Sequence, residues 1–142
     1  MASESFELVI VTPERLLLRE SCAEVQLPGA NGYLGVLPGH APLMTELGIG
    51  KLTHRAGKGE TALVVVRGLA EVLPDRVTLL AEVAEHPEEI DLGRARAARD
   101  RAEKRLASQD PEIDWDRATA ALQRSLIRIQ VAAKGGAAAG GI

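Results

Sequence analysis

The sequence predicts a segregated α+β fold: an all-β N-terminal domain, a sandwich or a barrel, followed by a C-terminal antiparallel two-helix hairpin. Three observations carry this expectation. From Phe6 to about Glu85, short apolar and β-branched runs alternate with turn residues about every 8–12 positions. From Pro87 the chain becomes rich in Ala, Arg, Glu and Leu, all strong helix formers. Aromatic residues make up 2% of the chain, namely Phe6, Tyr33 and Trp115, so the core must be built from Val, Leu, Ile and Ala in thin, closely packed layers. Such a core disfavours a deep aromatic-lined pocket, and with it a small-molecule enzyme.

The β elements follow in order. FELVIVTP is an apolar run closed by Pro13. LLLRESCAEVQLPG alternates in part, with Leu18, Cys22, Val25 and Leu27 as its apolar positions, and ends at Pro28-Gly29. YLGVLPG is a short strand closed by Pro38-Gly39, and TALVVVRG follows the polar turn Ala56-Gly57-Lys58-Gly59. LAEVLPDRVTLLAE reads as two strands around the β-turn signal Pro74-Asp75. Two strands alone could not hide these faces, whereas two packed sheets can.

The helical part begins with EEIDLGRARAARDRAEKRLASQD. Glu88 and Glu89 fall near its start, where negative charge complements the helix dipole. Leu92, Ala95, Ala98, Ala102 and Leu106 form one stripe, with Arg94, Arg101 and Arg105 along its edge. Asp110-Pro111 breaks the helix. A second helix starts at Asp114, with Asp116 in its first turn. Its predicted apolar stripe is Trp115, Ala118, Leu122, Leu126, Ile129 and Ala133, with Arg117, Arg124 and Arg128 on the opposite face. It is expected to end at Gly135-Gly136. The expected divisions are therefore 1–86 for the β domain, 87–134 for the hairpin and 135–142 for a disordered tail. At roughly 25 cal/mol per Å2, a narrow Ala/Leu stripe docks a hairpin by only a few kcal/mol, which points to a switch.

Composition excludes several classes. The chain has 142 residues, 46% hydrophobic and 26% charged, which fits one domain or a small domain with an appendage and excludes a fully disordered chain. No run of 18 apolar residues is present, so no membrane span is expected. A net charge of -3 argues against nucleic acid as the main partner. The charge is uneven: residues 1–86 carry 7 basic and 11 acidic side chains, net -4, and residues 87–142 carry 10 and 9, net +1. The start, MASESFELVI, shows no secretory signal, and a reducing, cytoplasmic setting is expected.

No catalytic residues are expected. Neither a phosphate-binding G-x-x-x-x-G-K-[ST] loop nor a G-x-S-x-G elbow is present. Cys22, the single cysteine, excludes an internal disulfide and a Cys-rich metal site, and it reads as a small buried hydrophobe. His40, His54 and His86 lack metal-ligand spacing, so no metal site is expected; His40, in PGHAP, reads as a turn or contact residue. The Gly/Pro cluster from Leu27 to Gly50 reads as hairpin turns or as a rigid docking edge. It does not read as a phosphate cradle, because no helix follows it.

LPGANGYLGVLPGHAPLMTELGIG closely resembles the epsilon subunits of F-type ATP synthases, and EVLPDRVTLLAE followed by IDLGRARAARDRAEKRL continues the match in the same order. The resemblance spans roughly residues 5 to 133. It implies a β-sandwich followed by the two-helix hairpin, in a non-catalytic rotor-stalk subunit of a bacterial proton-translocating ATP synthase at the cytoplasmic face of the cell membrane. The implied partners are the gamma subunit and the ring of c subunits, plus the alpha and beta subunits of the catalytic head when the hairpin extends and inhibits ATP hydrolysis. The turns carrying Asn31, Tyr33 and His40 correspond to the ring-facing edge. Arg117, Arg124 and Arg128 would face acidic segments of the head.

Some bacterial members also bind ATP through an I/L-D-x-x-R-A motif, matched here by Ile90, Asp91, Arg94 and Ala95. Their further arginines correspond to Arg101, Arg124 and Arg128. The resemblance thus implies no required cofactor, with ATP as a regulatory ligand. The alternative is a stand-alone ATP-sensing module. Gly93 lies within the motif at a cost of roughly 1 kcal/mol relative to Ala. Arg67-Gly68 stands where the family often has two glycines, which leaves the local strand geometry open.

Overall fold

The apolar runs become seven strands in the computed structural model, which describes residues 4–57 and 59–139. They are β1 (Phe6–Val11), β2 (Leu16–Cys22), β3 (Glu24–Gly29), β4 (Gly32–Val36), β5 (Leu43–Ala56), β6 (Gly59–Leu73) and β7 (Arg76–Glu85). A single 3-10 turn (Pro87–Glu89) leads into α1 (Leu92–Ala107) and α2 (Trp115–Ala139). Lys58 of the expected turn and residues 140–142 of the expected tail lie outside the described residues.

The hydrogen-bonded ladder is one sheet, in the order β2-β1-β7-β6-β5-β3-β4, and only the β1–β7 pair is parallel. The two expected layers are therefore one sheet folded over on itself. Side chains from all seven strands meet in a single core, including Leu8, Cys22, Leu27, Val36, Leu52, Leu63 and Val77. Strands distant in the ladder touch where the sheet closes: Ala23 N–H, just after β2, donates to the Arg55 carbonyl on β5 at 2.8 Å. The bend comes partly from β5, where seven residues (Leu47 to Thr53) lie opposite four of β3 (Gly29 to Gln26). Residues that loop out of a ladder bend the strand that carries them.

A second irregularity runs across the middle strands. Gly48, Arg67 and Glu82 fall in one row that the β5–β6–β7 registers skip. Before this row on β6, Leu63 and Val65 face the core; after it, Ala70 and Val72 do. The inward face thus changes from odd to even positions, which a regular strand cannot do. Arg67 takes a left-handed φ of 49° and Gly68 a φ of 134°. A Cβ on Gly68 would meet the Leu80 carbonyl oxygen at 2.0 Å, so only glycine fits there.

Several expectations change. LLLRESCAEVQLPG divides at Ala23 into β2 and β3, because the chain crosses there from one side of the folded sheet to the other. The second half of the Gly/Pro cluster is not turn: from Leu43 it is β5, held by antiparallel pairing to β6 along its length. The runs TALVVVRG and LAEVL form one strand, β6. Glu88 and Glu89 precede α1, whose cap is Asp91. Helix α2 continues past Gly135-Gly136 to Ala139, across an Ala-rich stretch that favours helix.

The hairpin lies on the outer face of β5 and β6, with α2 against the sheet and α1 against α2. The contact is small: Ala62, Val64, Val66 and Val131, flanked by Ile49, Val83, Ile90 and Ile127. The predicted α1 stripe holds, with Ala95 and Ala102 buried. The α2 stripe holds only in part, with Ala118 buried and Leu122 and Ile129 half-buried, because α2 has two neighbours and buries a wider, rotated surface. Ala120, Ser125 and Val131 are buried, while Trp115 and Leu126 are 53% and 45% exposed. For the same reason Arg124 and Arg128 do not stand on a solvated face opposite the stripe; both are half-buried.

Candidate functional site

The hinge between the domains is built by capping. His86 N–H donates to Glu89 Oε1 at 2.9 Å, and the Glu89 carboxylate also pairs with Arg15. The His86 hydrogen bond, opposed by partial burial and helped by the Arg15 guanidinium, holds the Glu89 carboxyl below its ordinary pKa. His86 Nε2 lies 3.3 Å from the Leu17 carbonyl oxygen. Asp91 then starts α1: its Oδ1 accepts from Arg94 N–H at 3.1 Å, and its own carbonyl accepts from Ala95 N–H at 3.0 Å. Asp114 does the same for α2, accepting from Arg117 N–H at 3.0 Å.

Between hinge and hairpin lies a cleft of about 440 Å3. It brings together six of the seven residues singled out for ATP: Ile90, Asp91, Arg94, Ala95, Arg101 and Arg128. Arg94 and Arg101 are two helical turns apart on α1, roughly 10 Å along its axis. Arg128 enters from α2 and is held by Glu85 of β7, with Nε–Oε1 at 2.7 Å and Nη2–Oε2 at 3.5 Å. Among the described residues neither Arg94 nor Arg101 has an acidic partner within ion-pair distance. The motif's Asp91 is spent on the backbone cap and does not orient the Arg94 side chain.

Arg124 does not line this cleft. Partial burial and the positive charges of Arg128, Arg67 and Arg117 lower its pKa. Gly93 sits in the first turn of α1, where a Cβ would meet only Asp91 Oδ1 at an ordinary 3.5 Å.

The three residues of the expected ring-facing edge occupy separate settings, with no hydrogen bond joining them. Asn31 is exposed in the β3–β4 turn. Tyr33 on β4 is 60% exposed, and its hydroxyl accepts from Lys51 N–H at 3.1 Å. His40 lies in the β4–β5 loop, next to Gly39, whose N–H donates to the Pro74 carbonyl at 2.8 Å.

One cluster escaped the sequence. Glu20, Cys22 and His54 offer ligand atoms that lie within 4.8 Å of one another. Burial, with help from the Glu20 carboxylate, pushes the Cys22 thiol up to about 11. Burial pushes His54 down, partly offset by Glu20. Cys22 and His54 are 32 positions apart, and the folded sheet alone makes them neighbours. No spacing rule reaches that far.

A folded sheet followed by a helical hairpin, with Arg94, Arg101 and Arg128 gathered beside Glu85, Glu89 and Asp91 at their junction, defines a two-part protein of the β-then-helical-hairpin class. Residues 5–87 match the ATP synthase Delta/Epsilon chain β-sandwich domain, and residues 88–133 match the ATP synthase Delta/Epsilon chain long α-helix domain. The ATP synthase epsilon chain of Koribacter versatilis is 54% identical over 111 residues, covering 78% of each chain. That of Syntrophobacter fumaroxidans is 47% identical over 132 residues, covering 93% of this chain and 98% of its own. In the Euglena gracilis mitochondrial ATP synthase, described as OSCP/F1/c-ring, one chain superposes with a TM-score of 0.78 at 23% identity, over 89% of this chain and 80% of that one. A chain of the Tetrahymena thermophila mitochondrial enzyme, described as central stalk/c-ring, gives 0.55 at 12% identity, over 95% and 98% of the two chains.

The protein belongs to the ATP synthase epsilon chain family and is a non-catalytic, accessory subunit of that complex. Among the described residues no helix is long and apolar enough to cross a membrane.

Proposed function

We propose that this subunit couples the c ring to gamma in the rotor of a proton-translocating ATP synthase, on the cytoplasmic side of a bacterial membrane, and that its hairpin regulates ATP hydrolysis. The structurally similar chains come from assemblies described as F1/c-ring and central stalk/c-ring, which supports a place at that junction. The sheet offers a docking surface for gamma. Leu16, Val11, Leu80 and Leu69 lie side by side on β2, β1, β7 and β6, and Leu16, Leu80 and Leu69 are 53%, 55% and 43% exposed. The loops with Asn31 and His40, and Tyr33 beside them in sequence, are assigned to the ring.

The observation that carries the regulatory reading is the convergence of Arg94, Arg101 and Arg128 on one cleft between the hairpin and Glu85 and Glu89 of the β side. Guanidiniums suit the phosphates of ATP, and Arg94 and Arg101 are free of carboxylates. Ile90 and Ala95 supply apolar wall. ATP bound there stabilises the docked hairpin; without it, the hairpin extends toward alpha and beta and inhibits. Ligand at a hundredfold excess over Kd shifts such a balance by about 2.7 kcal/mol, comparable to the grip of a contact this small.

Calorimetric titration of the chain with ATP tests this. Arg94→Ala is expected to abolish binding, since a phosphate would lose its unpaired cation. Identical titrations for parent and variant would remove Arg94 from the site. An ATP complex that forms but leaves hydrolysis by the assembled enzyme unchanged would favour simple nucleotide binding over regulation.

A further inference from the structure

We propose that Glu20, Cys22 and His54 form a binding site for a divalent transition-metal ion of the Zn2+ class, which clasps the edge strand β2 onto β5. The three ligand types are a thiol, an imidazole and a carboxylate, the set that borderline-soft ions prefer. Their geometry suits a small tetrahedral centre. His54 Nδ1 lies 3.8 Å from Cys22 Sγ and 3.6 Å from Glu20 Oε1. Bonds of about 2.0–2.3 Å to a tetrahedral ion place neighbouring donor atoms roughly 3.3–3.7 Å apart, close to these two separations; the third pair, Cys22 with Glu20, lies within 4.8 Å and is brought in by rotation of the Glu20 side chain.

The buried imidazole is turned toward the other two ligands. His54 is 3% exposed; its Nδ1 faces Cys22 Sγ at 3.8 Å and Glu20 Oε1 at 3.6 Å, both weak contacts, while its Nε2 has no hydrogen-bond partner among the described residues. Coordination at Nδ1 would exchange those weak contacts for a stronger bond. The charges also close. Cys22 gives up its thiol proton to water on binding, and thiolate plus carboxylate then neutralise a 2+ ion. Glu20, 37% exposed at its side chain, provides the way in and leaves room for a water as fourth ligand.

The position gives the ion a structural purpose. Cys22 ends β2 at one edge of the ladder, while His54 is on β5, four strands away in the order. The ion would add a side-chain link between the two sides of the folded sheet, beside the Ala23–Arg55 backbone hydrogen bond.

The test uses the full chain without an affinity tag, titrated with Co2+ and with Zn2+. The parent is expected to take one Co2+ with a sulfur-to-cobalt charge-transfer band in the near ultraviolet, and Cys22→Ser is expected to lose that band. Glu20→Gln, a surface change that leaves the core intact, is expected to bind Zn2+ at least about tenfold more weakly. Zn2+ is expected to raise the Tm of the parent and not that of Glu20→Gln. Should Cys22→Ser fail to fold, the Glu20→Gln titration decides. The proposal is overturned if the parent shows no thiolate band, or if Zn2+ affinity is equal in parent and Glu20→Gln, as it would be for an ion held by His40 instead.

Discussion

Arg67 and Gly68 occupy the same irregular row and make opposite demands. Arg67 holds a left-handed φ of 49°, which costs an L-residue about 1–2 kcal/mol. Arg67→Gly is therefore expected to stabilise the chain by about 1 kcal/mol in urea denaturation. Gly68→Ala is expected to destabilise severely, because the added methyl would overlap the Leu80 carbonyl. Glu89 gives a pH-dependent contribution. Folding lowers its pKa from the ordinary 4.5, so the unfolded chain takes up the proton first as the solution is acidified. The stabilisation is complete above that ordinary value and disappears as pH falls through the folded one. Between about pH 5 and pH 3, Glu89→Gln is expected to lose less stability than the parent in parallel melts. At this scale the sequence was informative where partners are close along the chain: Ile90, Asp91, Arg94 and Ala95 share one hinge, and Asp91 and Asp114 cap their helices. It was silent on Glu85–Arg128 and Cys22–His54, because those pairs exist only once the sheet has folded.

Helix α2 shows how an element can be legible in kind and misread in orientation. Its capping residue and its three-and-four spacing are written in the sequence. A wheel assumes one buried face, however, and α2 meets both α1 and the sheet. The seam between hairpin and sheet rests on a few apolar side chains, fully buried Val131 among them, and on the Arg128–Glu85 ion pair. Val131→Ala removes two carbons there and improves helix propensity slightly, for a net loss of about 1 kcal/mol. Hydrogen exchange is expected to quicken about fivefold across α1 and α2 while the β6 and β7 amides stay unchanged. Equal acceleration in both regions would mean that hairpin and sheet open together. The strands tell a similar story. Turn signals located the ends of β1 and β4 well, but β5 was hidden among glycines. Gly50 is there for packing rather than turning: a Cβ would meet Pro28 Cβ at 2.6 Å.

On the scale of the molecule, the main core contains side chains of the strands alone among the described residues. Removing residues 88–142 is therefore expected to leave a cooperatively folded β domain, with Ala62, Val64 and Val66 newly exposed. In the assembled synthase the same truncation is expected to raise ATP hydrolysis; rates equal to the parent under every nucleotide condition would remove the hairpin from regulation. The order of domains was legible from composition alone, since β grammar stops and helix grammar starts at one proline. The single folded sheet was not, because short-range patterns describe faces and not how a sheet closes.

That closure has a mechanical meaning. From β2 to β4 the backbone ladder is continuous, so a sideways load on one edge reaches the other through main-chain hydrogen bonds, without crossing a slip plane between separate sheets. The hairpin, by contrast, meets the β half through a small apolar seam and the Arg128–Glu85 ion pair. One chain of 142 residues thus joins a β unit that is continuous through main-chain hydrogen bonds to a helical unit that meets it through side chains.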